Sequence, residues 1–454
     1  MARNTASYVA CGDDSASSIS GEYCDFWTVS PANNTCAGLA RLIYKAESKA
    51  LHDYDVVSDL PPGSPFRGPG GPPMAFALEQ AVDEAALRLG QDPLALRKRW
   101  DSNPTRARLY DWAMSLDVWK TRGQPSGDGR FRRGVGAAAG YWLYLWQADT
   151  QAKLALENGR LVAEMAVQDI GTGTRTVIAD TLAREFGLDA REIEVRLGDS
   201  QLPLGPGSGG SRVTASIVPT LLAASAKLKA RVQSGAKAPL PGSNAPWRDL
   251  IAASPDLAVT AGRPEDDKRN IYGHGSLLHE AGLVGRIFGW MLRRRQQIAV
   301  GAGAPSSVQV IEVEVDTWLG RVRVLRAWSG LSVGRLAAPA LARNQAAGAF
   351  VQSLGHSLYE GREIDARTGH VLTVNLDDYR TPGIADMPPL DVHFDETGFD
   401  HVLGHSVGIG EVAAVPTPAA LANAVRNALG VRATEIPLRP DRLLALIQGA
   451  AHVA

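Results

Sequence analysis

Ala152-Lys153-Leu154-Ala155-Leu156-Glu157-Asn158-Gly159-Arg160-Leu161-Val162-Ala163-Glu164-Met165-Ala166-Val167 reads as a β-hairpin. Apolar residues alternate at 152, 154 and 156. Asn158-Gly159 supplies the left-handed pair that a tight turn needs, and the alternation returns at 161, 163, 165 and 167. A helix from Thr174 to Gly187 follows, then a strand through Ile193, Val195 and Leu197. Further along, Val308–Val315 and Val322–Leu325 form a second hairpin across Trp318-Leu319-Gly320, and a helix runs from about Ala338 to Tyr359. Hairpins alternating with helices, in place of regular βαβ units, predict an α+β fold.

The chain has 454 residues, more than one simple core organises, so two or more lobes are expected. The Gly-, Ser-, Pro- and Asp-rich stretch 122–130 marks the boundary, giving units 1–125 and 126–454. In the first unit, residues 1–60 look irregular and Pro61–Pro73 is a Pro/Gly loop. Met74–Leu89 has a broad apolar helical face, and a short helix starts at Asp92-Pro93 and runs to Trp100. In the second, a glycine loop at 203–212 leads into a long helix, Ser211–Arg231. The polar, Pro-rich stretch 233–270 reads as a surface excursion, and the last helix runs from Pro418 to Leu429 and closes at Gly430.

Hydrophobic residues make up 45% of the chain, charged residues 21%, and the formal net charge is -1. This is an ordinary folded composition with no global field to gather nucleic acid or acidic lipid. No apolar run is long enough for a membrane span. Met1-Ala2-Arg3-Asn4-Thr5 opens with neither a secretory nor a twin-arginine signal. Cys11, Cys24 and Cys36 fit no zinc or iron–sulfur spacing and read as reduced thiols of a cytoplasmic protein. His274 and His279 read as packing or surface groups, and Arg293-Arg294-Arg295 as a solvated or subunit-facing patch.

Four glycine-rich loops stand out: Phe66-Arg67-Gly68-Pro69-Gly70-Gly71-Pro72, Gln168-Asp169-Ile170-Gly171-Thr172-Gly173-Thr174, Gly205-Pro206-Gly207-Ser208-Gly209-Gly210-Ser211-Arg212, and Gly408-Ile409-Gly410-Glu411. Three lead directly into a helix, where free N–H groups suit a phosphate or another anion. None matches a nucleotide fingerprint. Together they point to an extended, phosphate-bearing ligand threaded between lobes. Glu411 follows two glycines, precedes the apolar run Val412–Ala414, and has no basic residue near it in sequence. Such an acid is either a misplaced surface charge or a catalytic base with a raised pKa.

The loops carry a resemblance. The Phe66–Pro72 loop, with Ala77-Leu78-Glu79 after it, is similar to the FRG-x-GG-P loop of the xanthine dehydrogenase/aldehyde oxidase family. So are Gln168–Gly173, Gly207-Ser208-Gly209-Gly210-Ser211-Arg212-Val213-Thr214-Ala215-Ser216, Asn344-Gln345-Ala346-Ala347-Gly348-Ala349-Phe350-Val351-Gln352, and the Glu411 loop, which resembles the family's catalytic glutamate loop. Order and rough spacing match from about residue 40 onward. What matches is the C-terminal portion of the family's molybdopterin-binding subunit, as in a split subunit. The implied fold is a set of cofactor-binding lobes with mixed sheets and packed helices.

The resemblance implies a molybdenum–pterin cofactor, usually the cytosine dinucleotide form in bacteria, with no side chain ligating the metal. It implies hydroxylation of an aldehyde or N-heteroaromatic carbon with water-derived oxygen, Glu411 acting as general base. By the same resemblance Arg67, Gly68, Gly171, Thr172, Gly173, Ser208, Gly209, Gly210, Thr214, Ala215, Ser216, Gln345 and Gly410 would contact the cofactor. Pro69, Tyr141 and Trp142 would meet the substrate, although Tyr141-Trp142-Leu143-Tyr144-Leu145-Trp146 also reads as an aromatic core strand. Implied partners are a chain bearing the N-terminal half of the molybdenum subunit, a [2Fe-2S] subunit and an FAD subunit, with those redox groups only on the partner chains. Two other readings stand beside this one. One is a non-catalytic paralogue with an assembly or structural role. The other is a carbon monoxide dehydrogenase-type subunit, whose copper-bearing cysteine none of the three cysteines here would supply. The family commonly has Pro-Pro after the glutamate. Here Val412-Ala413 stands in that place, so the loop loses an expected source of rigidity.

Overall fold

A computed structural model describes residues 35–46, 49–51, 66–123, 129–235, 246–264, 271–272, 298–301 and 303–451. Cys11, Cys24, His274, His279 and Arg293–Arg295 lie outside them. Helices α1 (Thr35–Leu42), α2 (Gly71–Arg88), α3 (Pro93–Trp100), α4 (Pro104–Ser115) and α5 (Asp117–Lys120) precede strands β1 (Phe131–Tyr141), β2 (Tyr144–Gln147), β3 (Gln151–Glu157) and β4 (Arg160–Met165). Then come α6 (Thr174–Phe186), β5 (Ile193–Leu197), α7 (Val213–Gly235), α8 (Trp247–Ala253), β6 (Leu257–Gly262), β7 (Ile271–Tyr272) and β8 (Ile298–Gly301). The chain continues through β9 (Ser306–Asp316), β10 (Arg321–Ser332), α9 (Pro339–Leu358), β11 (Leu390–Asp395), α10 (Thr417–Leu429) and α11 (Pro440–Ala451).

Both predicted hairpins form. β3 pairs with β4 and β9 with β10, each antiparallel. Each hairpin then continues through a helix into a strand parallel to its second strand: β4–α6–β5 and β10–α9–β11. The mixed sheets β5-β4-β3-β6 and β1-β9-β10-β11, with the smaller β2-β8-β7, give the α+β architecture. One apolar core lies under the first mixed sheet, against α6 and α7. Two more flank the β1–β9–β10 sheet.

The alanine-rich helix α10 lies on β1. A Cβ added at Gly136 would stand 2.1 Å from the Ala424 nitrogen and 2.4 Å from the Ala420 oxygen. Only a residue without a side chain permits that helix–strand approach. Because α10 directly follows the Glu411 loop, this contact anchors the loop to the central sheet.

Arg97, fully buried in α3, makes ion pairs with Glu79 at 2.7 Å and Asp83 at 2.5 Å in α2. Glu79 also accepts from Tyr44 Oη at 2.5 Å and from the Ala139 amide at 2.7 Å. The acid of the Ala77-Leu78-Glu79 stretch thus ties the turn after α1 to α2, α3 and β1.

Four features differ from the sequence reading. Residues 35–42 form α1 inside a stretch expected to be irregular. Within 233–270, expected to be a surface excursion, α8 packs on the first mixed sheet and β6 pairs with β3. The long helix begins at Val213 in place of Ser211. And α11 follows the helix that was expected to be the last.

Candidate functional site

The four glycine loops meet at one cleft of about 450 Å³. Arg67 joins three segments. Its Nε donates to the Gly410 carbonyl, and one terminal nitrogen donates to Gln345 O at 3.0 Å and Gln345 Oε1 at 3.1 Å. The Ser208 amide and hydroxyl donate to Gln168 Oε1 at 3.1 and 3.2 Å, tying the two middle loops together.

Glu411 lines the cleft. Its carboxyl is pushed up from the ordinary carboxylate range to about 7, with burial the main cause. Arg67, the Gly210 amide and Arg212 pull the other way without overcoming burial. The lack of cations near Glu411 in sequence therefore does not hold in space, since two arginines arrive from other loops. Neither makes an ion pair with it. Its closest polar neighbour is Ser211, whose Oγ donates to Glu411 Oε2 and accepts from the Glu411 amide at 2.8 Å.

The loop is held rigid without prolines. Ser307 Oγ donates to Val412 O at 2.7 Å, Gln309 Nε2 to Ala413 O at 2.9 Å, and Ser353 Oγ to Ala414 O at 3.1 Å. Val412, Ala413, Ala414 and Val415 are all buried. Gly408 lets this loop lie flat on the Ser211 loop, for a Cβ there would sit 1.8 Å from the Ser211 carbonyl oxygen. Gly408→Ala is expected to force the two loops apart and to cost about 1–3 kcal/mol of stability, in the range for overpacking. Urea unfolding of the variant beside wild type checks this.

The structure brings Arg67, Gly171, Thr172, Ser208, Gly209, Thr214, Gln345, Gly410 and Glu411 to the cleft wall. It places other expected residues behind it. Gly68 and Pro69 are buried, Gly68 lying against the Glu411 carbonyl. Gly173 packs against Leu341 of α9. Ala215 and Ser216 are fully buried, and Ser216 Oγ accepts from the Gln147 amide. Gly210 joins the two sides: its carbonyl accepts from Trp142 Nε1 at 3.3 Å, while its amide acts on the Glu411 carboxylate.

Tyr141 and Trp142, expected to meet substrate, are fully buried core residues. Trp142 reaches the cleft through Gly210. The apolar alternatives around this aromatic run, β1 and β2 strand packing, win because both rings face the core shared with α1–α4. Pro69 likewise has no exposed face for substrate.

The anion reading of the second loop also changes. The Asp169 carboxylate accepts from the amides of Gly171, Gly173 and Arg175 at 3.0–3.1 Å. The chain's own acid thus takes the N-terminus of α6, and these bonds hold Asp169 below its usual value, against the opposing effect of burial. What the loop offers the cleft is bare backbone, the exposed side chain of Ile170 and the hydroxyl-bearing residues Thr172 and Thr174.

Ser211, Thr174 and Gln352 line the cleft and were not singled out by the sequence reading. Gln352 lies seven residues after Gln345 on α9, so helical periodicity already puts both on one face. Ser211 sits inside the glycine loop 205–212, but nothing in that loop shows that it meets Glu411, 200 positions away.

The described residues fit a pterin cofactor. Gly171 and Gly209 line the cleft, and a Cβ on either would meet nothing within 4 Å. Gly209 has no left-handed backbone to require glycine, so its missing side chain serves as room. Hydroxyls and the two carboxamides of Gln345 and Gln352 surround that room, the donor and acceptor types that a pterin and its phosphates use.

A cleft of this kind between glycine loops on an α+β scaffold suits a cofactor-binding protein. A family model described as a molybdopterin cofactor-binding domain matches residues 113–388, and a second of the same description matches 16–100. The chain belongs to the molybdopterin-binding subunits of the xanthine dehydrogenase/aldehyde oxidase family. It is 31% identical over 434 residues to the aldehyde oxidoreductase molybdenum-binding subunit PaoC of Escherichia coli O157:H7, covering 90% of this chain and 56% of that one. It is 28% identical over 467 residues to the xanthine dehydrogenase molybdenum-binding subunit of the same organism, covering 97% and 58%. The chain therefore spans a little over half the length of these relatives. The aldehyde oxidoreductase of Desulfovibrio gigas shares the fold with a TM-score of 0.63 at 22% identity, over 85% of this chain and 42% of that one.

Proposed function

We propose that this chain holds a molybdenum–pterin cofactor, in the cytosine dinucleotide form, for an oxidoreductase that hydroxylates an aldehyde or N-heteroaromatic carbon with water-derived oxygen. The observation that carries this reading is Glu411, held near neutrality at the cleft where the cofactor loops meet. When bound, the cofactor supplies the oxidising centre and the oxygen nucleophile. Gln345 would hydrogen-bond its pterin, Arg67 would lie against its metal end, and Ser208, Thr172 and Thr214 would offer hydroxyls to it. A Glu411 carboxylate oxygen receives the proton that the nucleophile must lose. A base with a value near 7 is well matched to that task at neutral pH.

The reading carries partners with it: a chain completing the cofactor cradle, and [2Fe-2S] and FAD chains that carry electrons away. The segment 371–384 supports a protein partner, since it exposes Val374 by 73%, Leu376 by 81% and Ile384 by 96%. In this proposal residues 1–125 belong to a first cofactor-binding unit, 126–454 form the second, and the complex is cytoplasmic. Among the described residues no helix is long and apolar enough to cross a membrane.

The base must be ionised to act, so kcat/KM is expected to rise with pH through a midpoint near 7. A pH profile of the purified complex against an aldehyde and an N-heterocycle tests this, with molybdenum assayed in the same sample. A midpoint in the ordinary carboxylate range, or protein free of molybdenum after expression with its neighbouring chains, would overturn the reading.

A further inference from the structure

We propose that Ser211 is the positioning residue for Glu411, setting the aim of its carboxylate from the opposite wall of the cleft. The inference rests on the reading of Glu411 as general base and adds a residue to it. Three observations carry it. First, the Ser211 hydroxyl is bound to Glu411 twice, donating to the carboxylate and accepting from the backbone amide at 2.8 Å. Second, Ser211 has a φ of 57°, a left-handed conformation that a residue with a Cβ adopts only when its surroundings hold it there. Third, Gly408 and Gly410 leave the room it occupies: a Cβ on Gly408 would strike its carbonyl, and one on Gly410 would come 2.9 Å from its Oγ.

A glycine would suit this backbone better than serine. The hydroxyl is therefore what the position provides. Two bonds to one residue fix both the loop and the direction of its acid. The charged groups facing Glu411 are Arg67 from the first loop and Arg212 from Ser211's own loop. Gln345 and Gln352 of α9, with Thr172 and Thr174, complete the wall with neutral groups. Donation from Ser211 favours the ionised carboxylate, so removing the hydroxyl raises the pH at which Glu411 ionises.

The test compares Ser211→Gly, which relieves the left-handed strain, with Ser211→Ala, which keeps it. The Glu411 carboxyl is titrated by infrared difference spectroscopy on the full chain, with Glu411→Gln as the blank. The expected midpoint moves up by about one pH unit in both variants, the size of one hydrogen bond to a charged group. In the assembled enzyme the acid limb of kcat/KM moves by the same amount, lowering activity at pH 6 by about tenfold. An unchanged midpoint in both variants overturns the proposal. So does a change confined to Ser211→Ala, because that marks backbone strain alone. Full activity in Glu411→Gln would instead sink the base reading, while the infrared midpoint would still report on the Ser211 contact.

Discussion

Glu411→Gln is expected to lower turnover by about 10²–10⁴-fold, the range for loss of a general base, with molybdenum content unchanged. The amide keeps the shape of the side chain and can still accept from Ser211 Oγ, but it cannot take up a proton. The reductive half-reaction rate with aldehydes and N-heterocycles is the measurement, with metal assayed alongside. More than about a tenth of the wild-type rate at full metal loading would remove Glu411 from the role. Stability gives a second readout. Folding raises the Glu411 value from 4.5 to about 7, so the fold favours the neutral acid. That contribution is fully present below about 4.5 and is lost as pH rises through about 7. At pH 8 the wild type holds a charge in an unfavourable site and the variant does not. The thermal midpoint of Glu411→Gln is therefore expected to exceed that of wild type at pH 8, with the difference vanishing near pH 4.5.

Arg97→Met is expected to destabilise the protein by about 3–5 kcal/mol, the cost of removing one partner from a buried ionic cluster. The guanidinium is fully buried and bonds both Glu79 and Asp83. Without it two buried carboxyls face each other unneutralised. Because Glu79 also holds Tyr44 and the Ala139 amide, the loss would reach β1 and the turn after α1. Urea unfolding of the purified protein gives the value. Adding Glu79→Gln and Asp83→Asn to the variant should recover part of it, since the repulsion is then gone. A loss below about 1 kcal/mol for Arg97→Met alone would show that water or rearrangement replaces the guanidinium.

Two of the helices outside the sequence reading, α1 and α11, were missed for different reasons. The eight residues of α1 include Gly38 and are too short for periodicity to show; their burial against α2 is a tertiary effect. By contrast α11 carries its own signals, Pro440 at its first position and Leu443, Leu444 and Ile447 on one face. The strand β6 is six residues long and follows the polar stretch Ser254-Pro255-Asp256, so its alternation is brief. Its pairing with β3 is what makes it a strand.

The sequence by itself determined the two hairpins, the helices that follow them, the four glycine loops and the lone acid after the last of them. Each of these is local: alternation, helical period and turn residues act over a few positions. The motifs together also determined the family. Only the tertiary structure decided what each loop residue touches. Ser211 meets Glu411 across 200 positions, and Arg67 reaches Gly410 across 343. Likewise only the fold sends Tyr141 and Trp142 into the core. The physical reason is that burial and hydrogen bonding depend on distances through space. A carboxyl acquires a value near 7 from what surrounds it, and its neighbours in the chain are only part of those surroundings.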